Sequence, residues 1–281
     1  MRMRPHVRTA LLPLLTLLVA GCAATTTDEA TLRITGSDTM LEILTRVVDD
    51  YRRIYPSRPA SVEGGGSRAG IAALIAGRTD LAASSRPMLP DEARALLEAR
   101  STLGLGHLVM RDAISIYVHE RNPVQSLTMT QLRELFTGRV RSWREVGGSD
   151  APVRILIREA VSGTHLYFEE HVMLGESYAP HARMFVRTAD MIEQIAGDTT
   201  AIGYGGWGYQ RDGVRRLRVN GVEAGDAQVR EGSYPIARHL RCYSIGTPPE
   251  HVQHFIDWVH GPEGQRAIEE AGGLPLFPET E

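Results

Sequence analysis

The sequence contains no lysine, and all 31 of its basic residues are arginine. That absence excludes chemistry that needs a lysine amine: a Walker-type phosphate lysine, a Schiff base, a lysine general base. Cysteine is scarce as well, with 2 residues in 281, so the chain cannot build a disulfide framework. There is no excess of positive charge: 34 acidic residues outnumber the arginines and the formal net charge is -3. A general nucleic-acid binder would show a basic stripe, so none is expected as a partner. No repeat of 20–50 residues is present. What remains is ordinary globular composition, 42% hydrophobic and 23% charged. It suffices for one large domain or for two lobes, each with its own core.

The N-terminus reads as an address. Arg2, Arg4 and Arg8 precede an apolar stretch, Leu11–Ala20, interrupted only by Pro13 and Thr16. Small residues then lead to Cys22, in the order Val19-Ala20-Gly21-Cys22. This is a secretory signal peptide over 1–21, too short for a membrane-spanning helix. The residues before Cys22 resemble a bacterial lipobox, which predicts a lipid on Cys22 and a membrane anchor; the plainer alternative is a simple signal peptide with an incidental cysteine. Residues 22–30, small and polar, read as a flexible tether. Cys242, in an apolar strand-like run, is predicted to be a small core residue.

Beyond the tether, strands and helices alternate. Thr31–Thr35 reads as a strand, and Thr39-Met40-Leu41-Glu42 has the spacing of a capping box before a helix that runs towards Pro56. A strand at Ala60–Glu63, a helix over about Arg68–Ala76 and a buried strand at Asp80–Ser84 follow. This β-α-β-α-β order predicts an α/β fold with parallel strands. Further on, helices are predicted at Asp91–Arg100, Thr128–Thr137, after Gly163, and at Asp190–Ala196, Pro249–His260 and Glu263–Ala271. Strands are predicted within Leu108–His119 and at Val153–Ile157, Met184–Val186, Ala201–Tyr204 and Ile236–Ile245. Asn220-Gly221 marks a hairpin turn.

Three segments share one design: a strand end, small polar residues, then a helix start. They are Gly36-Ser37-Asp38-Thr39-Met40, Gly64-Gly65-Gly66-Ser67-Arg68-Ala69-Gly70 and Arg158-Glu159-Ala160-Val161-Ser162-Gly163-Thr164. In open α/β sheets such turns lie at the carboxyl ends of strands, where ligands bind. A helix N-terminus offers free N–H groups and the positive end of a dipole, both suited to an anion. One such turn alone is more often a capped turn than a site, because the same residues cap helices. Three of them together with an arginine point to an anion.

These segments, in their order, carry a resemblance. With Glu63–Leu74 (EGGGSRAGIAAL), Asp80–Pro87 (DLAASSRP), Ala201–Tyr204 (AIGY), Ser233–Arg238 (SYPIAR), and Pro262-Glu263-Gly264-Gln265 before Gly273-Leu274-Pro275-Leu276, they make the chain similar to the periplasmic phosphate-binding proteins of bacterial phosphate ABC transporters, over nearly all of Leu32–Leu276. The resemblance implies a two-lobed periplasmic-binding-protein fold of type II, with the ligand in a cleft between lobes. Lobe 1 would hold 31–112 plus 236–281, and lobe 2 would hold 113–235. It implies phosphate contacts at Thr39, the Met40 N–H, Ser67, Asp80, Arg158, Ser162, Gly163 and Thr164. Arg158 would fork two donors onto two oxygens. Asp80 would accept the proton that hydrogen phosphate carries and sulfate lacks; the plainer reading pairs it with Arg78 or Arg86. The implied partners are inorganic phosphate, a transporter permease and its ATPase. No cofactor, no metal and a monomer are expected.

Two departures stand out. The family often has an acid two residues after the arginine, where this chain has Ala160. Asp38 also brings a second acid to the expected pocket, as a helix cap or as a charge that weakens anion binding. Two other functions compete. Gly65-Gly66-Ser67-Arg68-Ala69 nearly matches a nucleophile elbow, but its last position is alanine and the 10 histidines form no persuasive triad. The same scaffold could also serve a different oxyanion or a sensing duty. Arg215, Arg216 and Arg218 read as a solvated basic run on a hairpin, and Trp143, Trp207 and Trp258 as core or surface anchors.

Overall fold

The computed structural model describes residues 30–277. The leader, Cys22 and the tether up to residue 29 lie outside the described residues. No helix among the described residues is long and apolar enough to cross a membrane.

Two sheets organise the chain. The first begins with β1 (Leu32–Gly36), α1 (Asp38–Ile54), β2 (Ala60–Glu63), α2 (Ser67–Ile75), β3 (Leu81–Ser84) and α3 (Pro90–Arg100). It gains β4 (Leu105–Ala113) and, much later, β11 (Ala237–Ser244). The strand order is β2-β1-β3-β11-β4. β1 pairs parallel with β2 and β3, as the β-α-β-α-β reading requires, whereas β11 runs antiparallel to both β3 and β4. The last helices, α8 (Glu250–His260) and α9 (Pro262–Glu270), return to this lobe. The amphipathic spacing of α1 buries Met40, Leu44, Val47 and Tyr51 against Leu32, Leu81, Phe255 and Ile268. A fully buried leucine or valine of this kind contributes about 1.5–3 kcal/mol.

The second sheet uses the intervening chain. Its elements are β5 (Ser115–His119), β6 (Ser126–Leu127), α4 (Met129–Phe136), a 3-10 turn (Trp143–Val146), β7 (Arg154–Arg158), α5 (Gly163–His171), β8 (Arg183–Phe185), α6 (Thr188–Ala196), β9 (Ala201–Gly205), β10 (Val214–Val219) and α7 (Asp226–Arg230). The order is β6-β10-β5-β9-β7-β8. Its core packs Ile116, Phe136, Trp143, Phe168 and Tyr204. The expected cap of α4 is present: Thr128 Oγ1 accepts from Gln131 N at 3.1 Å.

Two crossovers join the lobes, one at Ile114 and one at Ile236, and Ile114 N donates to Ile236 O at 2.9 Å. The run Leu108–His119 therefore breaks at Ile114 into strands of different sheets. The expected box at Thr39 and Glu42 does not form, because α1 starts two residues earlier with Ser37 as its N-cap. The arginine run is strand β10, and it is not simply solvated. Arg215 Nη2 donates to Asn122 O at 2.5 Å, and Arg216 stacks over Trp207 with 5.0 Å to the ring centre. At the expected turn, Asn220 and Gly221 both have positive φ, 51° and 80°, as a two-residue reversal demands.

Candidate functional site: an anion cradle between the lobes

The three turns singled out in the sequence meet between the lobes. Thr39 Oγ1, in the first turn of α1, lies 2.7 Å from Thr164 Oγ1 in the first turn of α5. Ser67, the first residue of α2, lies beside them; its Oγ is 3.2 Å from Ser85 Oγ and accepts from Ser85 N at 3.0 Å. Ser85 Oγ is in turn 3.5 Å from Thr164 Oγ1. Four hydroxyls from both lobes thus form one buried cluster at three helix N-termini. The backbone comes just as close. A Cβ on Gly163 would stand 2.6 Å from Ser85 Oγ and collide with Ser67 Oγ, so any side chain there must displace these hydroxyls. Gly66 has φ +89°, and a Cβ on it would meet Val161 O of the other lobe at 2.8 Å. Arg68 N donates to that same Val161 carbonyl at 3.3 Å.

The guanidinium that reaches this cluster belongs to Arg238. Its Nη2 donates to Thr164 Oγ1 at 3.0 Å and its Nη1 to Ser85 O at 2.9 Å. Its Nε donates to Asp112 Oδ2 at 2.8 Å. Asp112 Oδ1 accepts from Trp207 N at 2.9 Å. Asp112 sits near the end of β4 and Arg238 near the start of β11, so this pair straddles the two crossovers. Both side chains are buried. β11 runs antiparallel to β3, and this brings the N-terminal end of β11 to the C-terminal end of β3, where Ser85 lies.

Arg158 is placed differently from expectation. Its Nη2 donates to Asp38 Oδ2 at 3.0 Å and to Val186 O at 2.6 Å, its Nη1 to Thr188 Oγ1, and its Nε to Phe185 O at 3.4 Å. Four of the five donors of a guanidinium are thereby spent, and none of these bonds goes to the hydroxyl cluster. Ala160 supplies no acid within the same turn; the carboxylate comes from Asp38 on the opposite lobe. Asp38 Oδ1 also accepts from Gly65 N at 3.0 Å.

Asp80 must be removed from the set. It precedes β3, at the opposite end of the strand from Ser85, which at strand spacing puts it roughly 16 Å away. Its carboxylate is held by Arg33, with Nη2 to Oδ1 at 2.8 Å and N to Oδ2 at 2.8 Å. Burial raises its pKa, but the Arg33 bonds and charge outweigh this, and the group ionises below its ordinary range. The plainer reading was nearer, though the partner is neither Arg78 nor Arg86. Met40 N donates to Ser37 O at 3.0 Å and its side chain is core, so its N–H is already engaged. Ser162 is the N-cap of α5, and its Oγ accepts from His165 N at 3.4 Å.

Sequence reasoning missed Ser85, Arg238 and Asp112. The signal for Ser85 was available: in a strand read as Asp80–Ser84, the carboxyl end is Ser85, not Asp80.

Behind Arg158 lies a buried polar relay. His165 Nδ1 donates to Arg158 O at 2.6 Å, which places the proton of the neutral ring on Nδ1. Burial lowers the His165 pKa. Tyr204 OH accepts from Arg158 N at 3.4 Å and lies 3.0 Å from Tyr178 OH. Burial raises both phenols, so both keep their protons. No histidine among the described residues bonds to Ser67, so the near-match to a nucleophile elbow has no base beside it.

The chemistry on offer is anion capture. Helix N-termini and hydroxyls supply neutral donors, and one guanidinium, itself held by Asp112, supplies a fork.

Comparisons with known proteins agree with the two-lobed architecture. The chain is 27% identical over 263 residues to the phosphate-binding protein PstS of Pseudomonas aeruginosa, covering 86% of this chain and 81% of that protein. It is 26% identical over 254 residues to the phosphate-binding protein PstS of Bacillus subtilis, covering 87% and 80%. A phosphate-bound ABC transporter substrate-binding protein from Clostridium perfringens superposes with a TM-score of 0.82 at 26% identity, over 88% of this chain and 100% of that one. An ABC-type phosphate transport receptor from Vibrio cholerae superposes at 0.72 and 26% identity, with the same coverage. The profile of the PBP superfamily domain matches residues 22–263, and the chain belongs to that family.

Proposed function

We propose that this protein captures inorganic phosphate outside the cytoplasmic membrane and delivers it to the permease and ATPase of a phosphate ABC transporter. The observation that carries this reading is the buried cluster of Thr39, Ser67, Ser85 and Thr164 at three helix N-termini, with Arg238 Nη2 on Thr164. Phosphate entering the cleft exchanges its hydration shell for these hydroxyls, for first-turn N–H groups such as those of Gly163 and Thr164, and for the Arg238 fork. The lobes, taken as 31–112 plus 236–281 and 113–235, close about the two crossovers, and the ligand stabilises the closed state. No bond is made or broken. The relatives' names and the phosphate-bound neighbour support the same reading.

One observation favours a second reading, a receptor for a related oxyanion. Both carboxylates near the cradle, Asp38 and Asp112, are paired with arginines. Acceptance of a ligand proton then falls to a hydroxyl oxygen, which both donates and accepts. Discrimination against sulfate is therefore shallower than a free carboxylate would give. Calorimetric titration of phosphate-stripped protein with phosphate, sulfate, molybdate and tungstate tests both readings. Saturable binding of phosphate in preference to the others is expected, and absence of phosphate binding overturns the first reading.

The lipobox-like sequence before Cys22 supports a lipid anchor for a monomeric receptor. Cys22→Ser should move the protein from the membrane fraction to the soluble one; unchanged detergent-dependent extraction would end that assignment.

A further inference from the structure

The tether and the cleft lie at opposite ends of the first lobe. β1, β2 and β3 run parallel and their carboxyl ends carry the cradle, so the chain enters β1 at the far end of the sheet. α1 runs back from the cradle to that far end, and its 17 residues set the two ends roughly 25 Å apart. From Cys22 to Ala30 the chain reaches at most roughly 29 Å, and as a random coil it spans about 16 Å. A lipid on Cys22 therefore brings a membrane up to the far end with the tether relaxed. Turning the cleft towards that membrane would draw the tether nearly straight along the lobe.

The side chains at the far end suit a lipid surface. Ile54 closes α1, Leu97 lies in the last turn of α3, and Leu103 and Leu105 stand where the chain enters β4. All four are exposed, Leu103 by 62%. Of the arginines there, Arg33, Arg52, Arg53 and Arg58 are paired with Asp80, Asp49, Asp50 and Glu250. Arg78 and Arg100 form no ion pair among the described residues, and one exposed acid, Glu98, accompanies them. The two are neighbours: a Cβ on Gly77, the residue before Arg78, would lie 2.8 Å from the central carbon of the Arg100 guanidinium. Single leucines scattered over a surface are ordinary. Several at one end, beside unpaired arginines, have interfacial chemistry: aliphatic side chains enter the headgroup region and guanidinium groups meet lipid phosphates.

We infer that this end of lobe 1 rests on the membrane that anchors the protein, with Arg78 and Arg100 on anionic headgroups and Leu97, Leu103 and Leu105 at the acyl boundary, so that the cleft opens away from that membrane. The inference rests on the lipid proposed for Cys22. The lipid supplies the attachment and the face supplies the orientation. Phosphate then enters from the bulk medium, and delivery to a permease in the same membrane begins with the lobe lifting off within the length of the tether.

The test places a bimane probe on the lipidated protein in vesicles of phosphatidylethanolamine and phosphatidylglycerol that contain a nitroxide-headgroup lipid. Leu103→Cys labels the far end and Val161→Cys labels the second lobe beside the cradle. The lipid blocks Cys22 and Cys242 is buried, so only the introduced thiol reacts. Quenching at position 103 should exceed that at position 161 roughly two-fold or more. Adding Arg78→Gln and Arg100→Gln should remove about half or more of the quenching at position 103, and a thermal melt checks that each variant folds. Equal quenching at the two positions, or stronger quenching at 161, overturns the orientation. Quenching at 103 that is unchanged by the arginine substitutions overturns the face, since the tether alone then sets the pose. If mass spectrometry finds no lipid on Cys22, the anchor fails separately. The face is then judged by sedimentation of the unlipidated protein with vesicles of the same two phospholipids: more pelleting of wild type than of the arginine variant supports it, and equal pelleting overturns it.

Discussion

Thr39 Oγ1 and Thr164 Oγ1 lie 2.7 Å apart although 125 residues separate them and they belong to different lobes. Each stands in the first turn of its helix, so the contact also brings the positive ends of α1 and α5 together. Like dipole ends repel. A buried approach of this kind is favoured when an anion lies between them, and that gives the cradle its chemical sense.

Arg238 is the cation bonded to this cradle. Arg238→Met keeps much of the apolar stem but removes the fork from Thr164 and Ser85. Phosphate affinity should fall at least about 100-fold, the size expected when a buried charged donor is lost. Calorimetry measures it, and an affinity within a few-fold of wild type would remove Arg238 from the site.

Gly163 gives a steric test. An alanine there would place its Cβ 2.6 Å from Ser85 Oγ and against Ser67 Oγ, with no strain from φ. The hydroxyls must shift, so affinity should drop about 10-fold or more while the melting temperature changes little, as for a local distortion of a positioned site. Titration and a thermal melt on the same preparation separate the two effects.

Asp80 should now be silent in binding. Asp80→Asn is expected to leave the phosphate-to-sulfate affinity ratio unchanged. Its partner Arg33 is 46% exposed, so the pair should contribute no more than about 1 kcal/mol of stability. The pKa of Asp80 is lowered on folding. Its contribution is therefore present above the ordinary aspartate value of 3.8 and disappears as pH falls through the folded value. A chemical denaturation series from pH 6 down to about pH 3 reads this slope.

His165 acts at milder pH. Burial lowers its pKa from the ordinary 6.5, so the unfolded chain takes up a proton more readily than the native one. Stability is complete above about pH 6.5 and declines as pH falls from there through the folded value. His107 and His239 are shifted in the same direction by burial, so His165→Gln should flatten part of the slope between about pH 5 and 7. An unchanged slope in melting temperature against pH would contradict a neutral His165 beneath Arg158.

Local signals in the sequence carried most of the first lobe. The periodicity of Met40, Leu44, Val47 and Tyr51 gives α1 its buried face, and the strand read at Ala60–Glu63 matches β2 residue for residue. Strand ends followed by Gly, Ser and Thr determined that anion-binding turns exist, because those residue types follow from backbone freedom and exposed N–H groups. Position along the chain did not determine which side chains share a site. Asp80 and Ser85 lie in one eight-residue motif, yet strand direction sends one to Arg33 and the other to the cradle. The break at Ile114 was hidden because residues 112–119 are buried without interruption across it, and burial on both sides erases any period. Arg238 enters only because β11 runs antiparallel to β3, and Asp38 meets Arg158 only when the two lobes are packed together. Such pairings are long-range, and no local propensity encodes them. The sequence by itself determined the kind of ligand; tertiary structure decided which arginine faces the cradle and which one ties the lobes.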